Sequence, residues 1–136
     1  MNISSGEVEV SGQKTFRAWV KQNFPKARTI FSNELLIVVF GHLPAIMLGQ
    51  MMYWSDRTSD RAGWFYKSRQ DWETELRMTE WEVRRSLDIL RESGVVESKV
   101  VKVYGNRVSH FRVDYERLML KFHVESTSIV EESSWF

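Results

Sequence analysis

Trp81, Arg84 and Arg85 are the residues of this sequence best equipped for specific recognition chemistry. A guanidinium offers a rigid fork of N–H donors that matches the paired acceptors on a guanine edge. An indole ring can press on a thymine methyl or a sugar. At about 100° per residue, Trp81, Arg85, Asp88 and Glu92 share one side of a helix, opposite a stripe of Val83, Leu87 and Leu90, with Arg84 on the flank. A helix that reads bases does so from its N-terminal turns, where Trp81, Arg84 and Arg85 stand. The same residues also read as plain solvated surface. Glu80 and Arg84, and Arg84 and Asp88, are i,i+4 neighbours, and Arg85 and Asp88 are i,i+3, so the carboxylates can hold both arginines and repel phosphate. An exposed tryptophan fits that second reading poorly, because burying one against a partner recovers considerable area.

A second group has the chemistry to hold a phosphate backbone. Lys99, Lys102, Asn106, Arg107 and Arg112 lie on a segment that reads as a hairpin, and Ser68 and Arg69 open a helix. Such residues position a protein on nucleic acid without reading its sequence. Lys99 and Arg112 read equally well as the wet face of that hairpin. The candidate interface is therefore Ser68, Arg69, Thr79, Trp81, Arg84, Arg85, Asp88, Lys99, Lys102, Asn106 and Arg107. Against it stands the overall charge, only +1 over 136 residues. A nucleic-acid binder usually shows a clear basic excess, so binding here depends on how the charges are arranged and on dimerisation.

Catalytic chemistry finds no template. Without cysteine there is no thiol nucleophile, thiolate metal site or disulfide framework. His42, His110 and His123 have no metal-ligand spacing. Asp114 and Glu116 read as a helix cap and a helix surface. No glycine-rich phosphate loop, nucleophile elbow or H-E-x-x-H motif occurs. The expectation is a protein that is not an enzyme and carries no metal or cofactor.

The elements that must position these residues follow from apolar spacing and caps. Phe16, Trp19, Val20 and Phe24 recur at helical intervals ahead of Pro25. Ser32 or Asn33 can cap a short helix through Phe40, although Ile37, Val38 and Val39 also suit a strand. Ala45 to Trp54 is apolar on nearly every side, as a helix at the centre of a core would be. A polar loop, Ser55 to Gly63, leads to a short strand at Trp64-Phe65-Tyr66. Ser68 caps a helix over Arg69 to Leu76. Thr79 and Glu82 form a T-x-x-E capping box, with Met78 and Val83 as a hydrophobic staple. That second helix runs from Glu80 to Ser93, and Gly94 is its C-cap. Val95 to Tyr104 and Arg107 to Val113 read as a hairpin turning at Gly105-Asn106. In that register Val100 faces Phe111 and Ser98 faces Val113, with Val96, Val100, Phe111 and Val113 on one face. Asp114 can cap a last helix through about Phe122.

The order helix, short strand, helix, tight turn, helix, hairpin is that of a winged helix. The residues that fill it, Gly63-Trp64-Phe65-Tyr66-Lys67-Ser68, Asp71-Trp72, Glu75-Leu76, Val83-Arg84-Arg85, Leu87 and Gly94-Val95-Val96-Glu97-Ser98-Lys99, resemble the winged-helix domain of phage and plasmid replication proteins. Residues 45–55 are similar to the helix preceding it in that group. The likeness covers roughly residues 32 to 115. It implies a DNA-binding protein of viral or plasmid type, acting in replication initiation or transcriptional control. Two positions depart from the group: Arg77 stands where glycine is usual in the turn, and Glu80-Trp81-Glu82 opens a helix that is commonly basic there. The alternative is a protein-interaction module, such as a virus-encoded inhibitor of a host nucleic-acid machine, using the acidic face around Trp81.

The expected fold is thus α+β and mainly helical, a winged helix-turn-helix with extra N-terminal and C-terminal helices. Residues 1–12 form a flexible arm, 13–123 a single domain with its core at 32–115, and 124–136 a flexible acidic tail. Double-stranded DNA is the expected partner. A homodimer would present two half-sites, and Trp135-Phe136 can dock in a partner's groove. No apolar run approaches the length of a membrane span and the start lacks a signal-peptide pattern, so the expected location is the cytoplasm.

Overall fold

The structure, a computed structural model, describes residues 12–28, 30 and 32–123. The expected arm, apart from its last residue, and the acidic tail with Trp135-Phe136 lie outside the described residues. Two compact units divide the chain, Met1–Ile30 and Phe31–Phe136, so the division falls just ahead of the expected core. In the first unit, helix α1 (Gly12–Asn23) ends before Pro25, whose ring disfavours helical backbone at Phe24. No residue of α1 is buried. The Trp19 ring lies 6.3 Å from that of Phe16 and 5.6 Å from that of Phe24.

The second unit is α+β. Its helices are α2 (Glu34–Phe40), α3 (His42–Arg57), α4 (Arg69–Leu76), α5 (Glu80–Ser93) and α6, over 115–123. Strands β1 (Phe65–Tyr66), β2 (Val96–Val103) and β3 (Asn106–Val113) form one antiparallel sheet in the order β1-β3-β2. The β-branched run left open between helix and strand is helical. Asn33 Oδ1 accepts from the Leu35 N–H at 2.9 Å, and the run buries Leu36 and Phe40. As its all-round apolar sequence requires, α3 lies at the centre and buries Pro44, Ala45, Met47, Leu48 and Met51. It continues three residues into the segment expected to be loop, because Ser55 is better satisfied inside: its Oγ donates to the Gly63 carbonyl at 2.8 Å.

Both expected caps close as reciprocal boxes. Ser68 Oγ accepts from the Asp71 N–H and Asp71 Oδ2 accepts from the Ser68 N–H, each at 3.0 Å. Thr79 Oγ1 accepts from the Glu82 N–H at 3.2 Å, and Glu82 Oε1 accepts from the Thr79 N–H at 2.8 Å. Between the boxes, Arg77 adopts left-handed backbone (φ 56°, ψ 39°) and ends α4, while Met78 drops into the core with Val83. Trp72 is fully buried, its ring 6.2 Å from that of Phe65 and 6.0 Å from that of Phe111. This aromatic cluster fastens α4 to the sheet. Leu118 brings α6 onto the same core. No helix among the described residues is long and apolar enough to cross a membrane.

The hairpin register differs from the expected one. Val96 pairs with Val113, Ser98 with Phe111, Val100 with Ser109, Lys102 with Arg107 and Val103 with Asn106. The turn is therefore Tyr104-Gly105 rather than Gly105-Asn106. Both central residues take positive φ, 50° at Tyr104 and 81° at Gly105, as the tight hairpin turn needs. Sliding the pairing sets Val96 against Val113 at the buried end of the ladder, where the Asp114 N–H donates to the Val95 carbonyl at 2.8 Å. Val96, Val100, Phe111 and Val113 still share a face, because the shift preserves parity. Val100 now lies beyond the core and is 58% exposed.

Candidate nucleic-acid interface

α5 is held from one side only. Val83, Ser86, Leu87 and Leu90 are buried, so the helix presents Trp81, Arg84 and Arg85 outward from its first two turns. Trp81 is 68% exposed. The expected ion pairs resolve into a definite pattern. Arg84 turns back to Glu80, Nη2 to Oε1 at 3.0 Å, and Asp88 pairs with Arg91 at 3.3 Å. Arg85 has no acidic partner among the described residues. Of the two arginines, it is the one whose fork is free.

Arg69 comes from α4 to the same Glu80 oxygen, Nη1 at 3.0 Å, and lies 3.8 Å from Glu73. One carboxylate thus bridges α4 and α5 and stands between two guanidiniums. All three side chains are roughly half exposed. A pair of this kind contributes only about 0–1 kcal/mol to stability, and the main effect of Glu80 is on the potential of the face. The Ser68 and Thr79 hydroxyls are both occupied as caps. Ser68 also faces Asp71, whose carboxyl is held below its ordinary range by hydrogen bonds from the Ser68 backbone and side chain. A phosphate at that helix start would meet an ionised carboxylate.

The hairpin separates its cations onto two faces. Lys102 and Arg107 are cross-strand partners on the face that continues the core side of the sheet. They lie about 13 Å beyond Ser98 along the strand, and Ser98 Oγ accepts from Arg91 of α5 at 3.4 Å. Two like charges opposite each other oppose pairing of the strands, and neither has an acidic partner among the described residues. Lys99 lies on the other face, its Nζ 4.0 Å from the centre of the Trp64 ring. Arg112 is there too, paired with Glu97 at 2.8 Å. The structure therefore groups Trp81, Arg84, Arg85 and Asp88 on α5 and Lys102, Asn106 and Arg107 at the far end of the hairpin, and sets Lys99 apart.

The chain matches no family model, no curated protein and no solved structure.

Two features escape sequence reasoning. Tyr104, at the tip of the hairpin, is fully exposed and holds left-handed backbone, a conformation that disfavours a side chain. The Tyr104-Gly105 dipeptide that forms the turn was the available signal. Glu75 is largely buried and accepts from Gln50 Nε2 and Trp54 Nε1, each at 2.6 Å, and from Lys67 Nζ at 2.5 Å. Lys67 also lies over the Trp54 ring at 4.0 Å. This network ties α3, β1 and α4 together, and its members are too far apart in sequence to show a pattern. Among the described residues, no three His, Asp or Glu side chains gather as a metal site.

Proposed function

We propose that the second unit is a winged helix-turn-helix and that the chain is a DNA-binding protein of viral or plasmid type, without enzymatic activity, acting in replication initiation or transcriptional control. The observation that carries this reading is the exposure of Trp81 and the free fork of Arg85 on the opening turns of a helix anchored along its other side. In this reading α5 enters the major groove, Arg85 reads guanine, and Lys102 and Arg107 lie along the backbone. A second copy of the chain supplies a second half-site. Binding is tested by anisotropy of a labelled mixed-sequence duplex between about 50 and about 200 mM salt. The logarithm of the binding constant is expected to fall by about 0.9 per phosphate contacted for each logarithmic unit of salt. On a selected site, Arg85→Ala is expected to lose about 1–3 kcal/mol; unchanged affinity there removes Arg85 from base reading.

One observation favours the alternative, a protein-interaction module such as a virus-encoded inhibitor of a host nucleic-acid machine. Glu80 neutralises Arg69 and Arg84 together on the very face that would meet phosphate. No duplex binding at about 50 mM salt would support that reading. A partner captured by the wild-type chain and lost with Trp81→Ala would then locate the interface.

A further inference from the structure

The face of the sheet turned away from the core borders a cavity. Residues that pair across a sheet share a face, and successive pairs on that face form rows. One row here is Tyr66, His110 and Lys99, on β1, β3 and β2 in turn. The 58–64 loop folds beside this row and makes a cavity of about 730 Å³, within the range of small-molecule sites. No residue of α5 lines it.

Its chemistry is aromatic and cationic. Trp54, Trp64, Tyr66 and His110 supply rings, and Tyr66 is largely exposed with its ring 5.9 Å from that of His110. Lys99 and Arg57 supply charge, and neither has an acidic partner among the described residues. Trp64 holds the Lys99 ammonium at 4.0 Å, and Tyr53 holds the Arg57 guanidinium at 3.7 Å. The two carboxylates in the lining keep their charge but are turned to backbone N–H groups. Asp60 accepts from the Ala62 and Trp64 N–H groups, each at 3.1 Å, and Asp71 accepts from the Ser68 N–H at 3.0 Å.

We propose that the cavity binds a nucleotide, with the base stacked on Tyr66 against His110 and the phosphate held by Lys99. Two strand spacings separate Tyr66 from Lys99, about 10 Å, a span comparable to a mononucleotide from end to end. Stacking on an aromatic platform with a cation beside it is how proteins hold single-stranded nucleic acid without sequence preference. The same chemistry suits a free nucleotide, and the two sources separate by experiment.

The test is quenching of tryptophan fluorescence, since Trp54 and Trp64 both line the cavity. The probes are adenosine 5′-monophosphate and an oligothymidylate of about ten nucleotides. Adenosine and ribose 5-phosphate serve as controls lacking one end. Saturable quenching by either probe, weaker by about tenfold or more for both controls, supports the site. A tighter oligonucleotide identifies a strand as the ligand, and equal affinities identify the free nucleotide. Tyr66→Ala and Lys99→Glu, both at exposed positions, are each expected to weaken binding about tenfold or more. Trp81→Ala on α5 is expected to leave nucleotide binding unchanged, whatever it does to duplex binding. Absence of quenching by both probes, survival of binding in both Tyr66→Ala and Lys99→Glu, or its loss in Trp81→Ala overturns the proposal.

Discussion

Replacing Glu80 by glutamine tests whether the acidic opening of α5 restrains an otherwise basic face. One Glu80 oxygen lies 3.0 Å from both Arg69 and Arg84. Glu80→Gln keeps the shape of the side chain, removes one negative charge and releases both guanidiniums. The stability cost is modest: two half-exposed ion pairs and a favourable carboxylate at a helix start together contribute about 3 kcal/mol at most. The effect on duplex binding is distinct. If both released arginines reach phosphates, the slope of log K against log salt steepens by about 1.8. Over a fourfold rise in salt that is about a further tenfold loss of affinity, starting from tighter binding at the low end. Anisotropy of the same labelled duplex with wild type and Glu80→Gln measures both quantities, and thermal unfolding checks that the fold survives. An unchanged slope with unchanged affinity would refute the reasoning, because the arginines freed by the substitution would then not be facing phosphate.

Three further outcomes follow from the packing. Arg77→Gly is expected to raise stability by about 0.5–1 kcal/mol in denaturant unfolding, since left-handed backbone disfavours arginine by slightly more than the flexibility glycine adds to the unfolded chain. A loss would mean that the Arg77 side chain makes a stabilising contact. Glu75→Ala is expected to cost about 3–5 kcal/mol by the same measurement, because it strands the largely buried Lys67 ammonium and the donors on Gln50 and Trp54; less than about 1 kcal/mol would show the network to be replaceable by water. Burial, then the nearby Asp56 charge and its hydrogen bond to the phenol, push the Tyr115 pKa up from 10.0 to about 12. That contribution is fully present below the unfolded value near pH 10 and is lost as pH rises toward 12, so Tyr115→Phe is expected to flatten the alkaline decline in melting temperature; an identical decline would place its cause elsewhere.

The local devices were legible in the sequence because their bonds span three residues. The Thr79–Glu82 box and the Ser68 cap are fixed by spacing alone, and the structure adds Asp71 as the reciprocal partner of Ser68. Arg77 was marked by the resemblance, in which glycine is usual at that turn. The hairpin register could not be read from spacing, since Gly105 serves a turn centred on either side of it, and the choice depends on aligning Val96 with Val113 in the core. The partner of Arg84 was likewise open, with Glu80 and Asp88 both one helical turn away. It is settled by two other arginines: Arg69 arrives from α4 to share Glu80, and Arg91 takes Asp88. The Glu75 network and the cavity behind the sheet join residues from separate elements, which no periodicity reveals.

The near-zero net charge weighs less against nucleic-acid binding once the acids are located. Asp60, Asp71, Glu82 and Asp114 each accept a backbone N–H at a loop or helix start. Their charge there is set against the partial positive charge of helix ends and turns. Glu75 is enclosed with Lys67, Glu97 pairs with Arg112 and Asp56 accepts from Tyr115. The cations distribute differently: Arg85, Lys99, Lys102 and Arg107 carry their charge at the surface with no acidic partner among the described residues. A sum over the sequence cancels these two populations, whereas a phosphate approaching within a Debye length of about 8–10 Å meets them separately. The exceptions are on α5: Glu80, whose partners are Arg69 and Arg84, and Asp88 and Glu92 on the side that carries Trp81 and Arg85. Of these, Glu80 stands at the opening turn, where the DNA-binding and protein-binding readings of α5 divide.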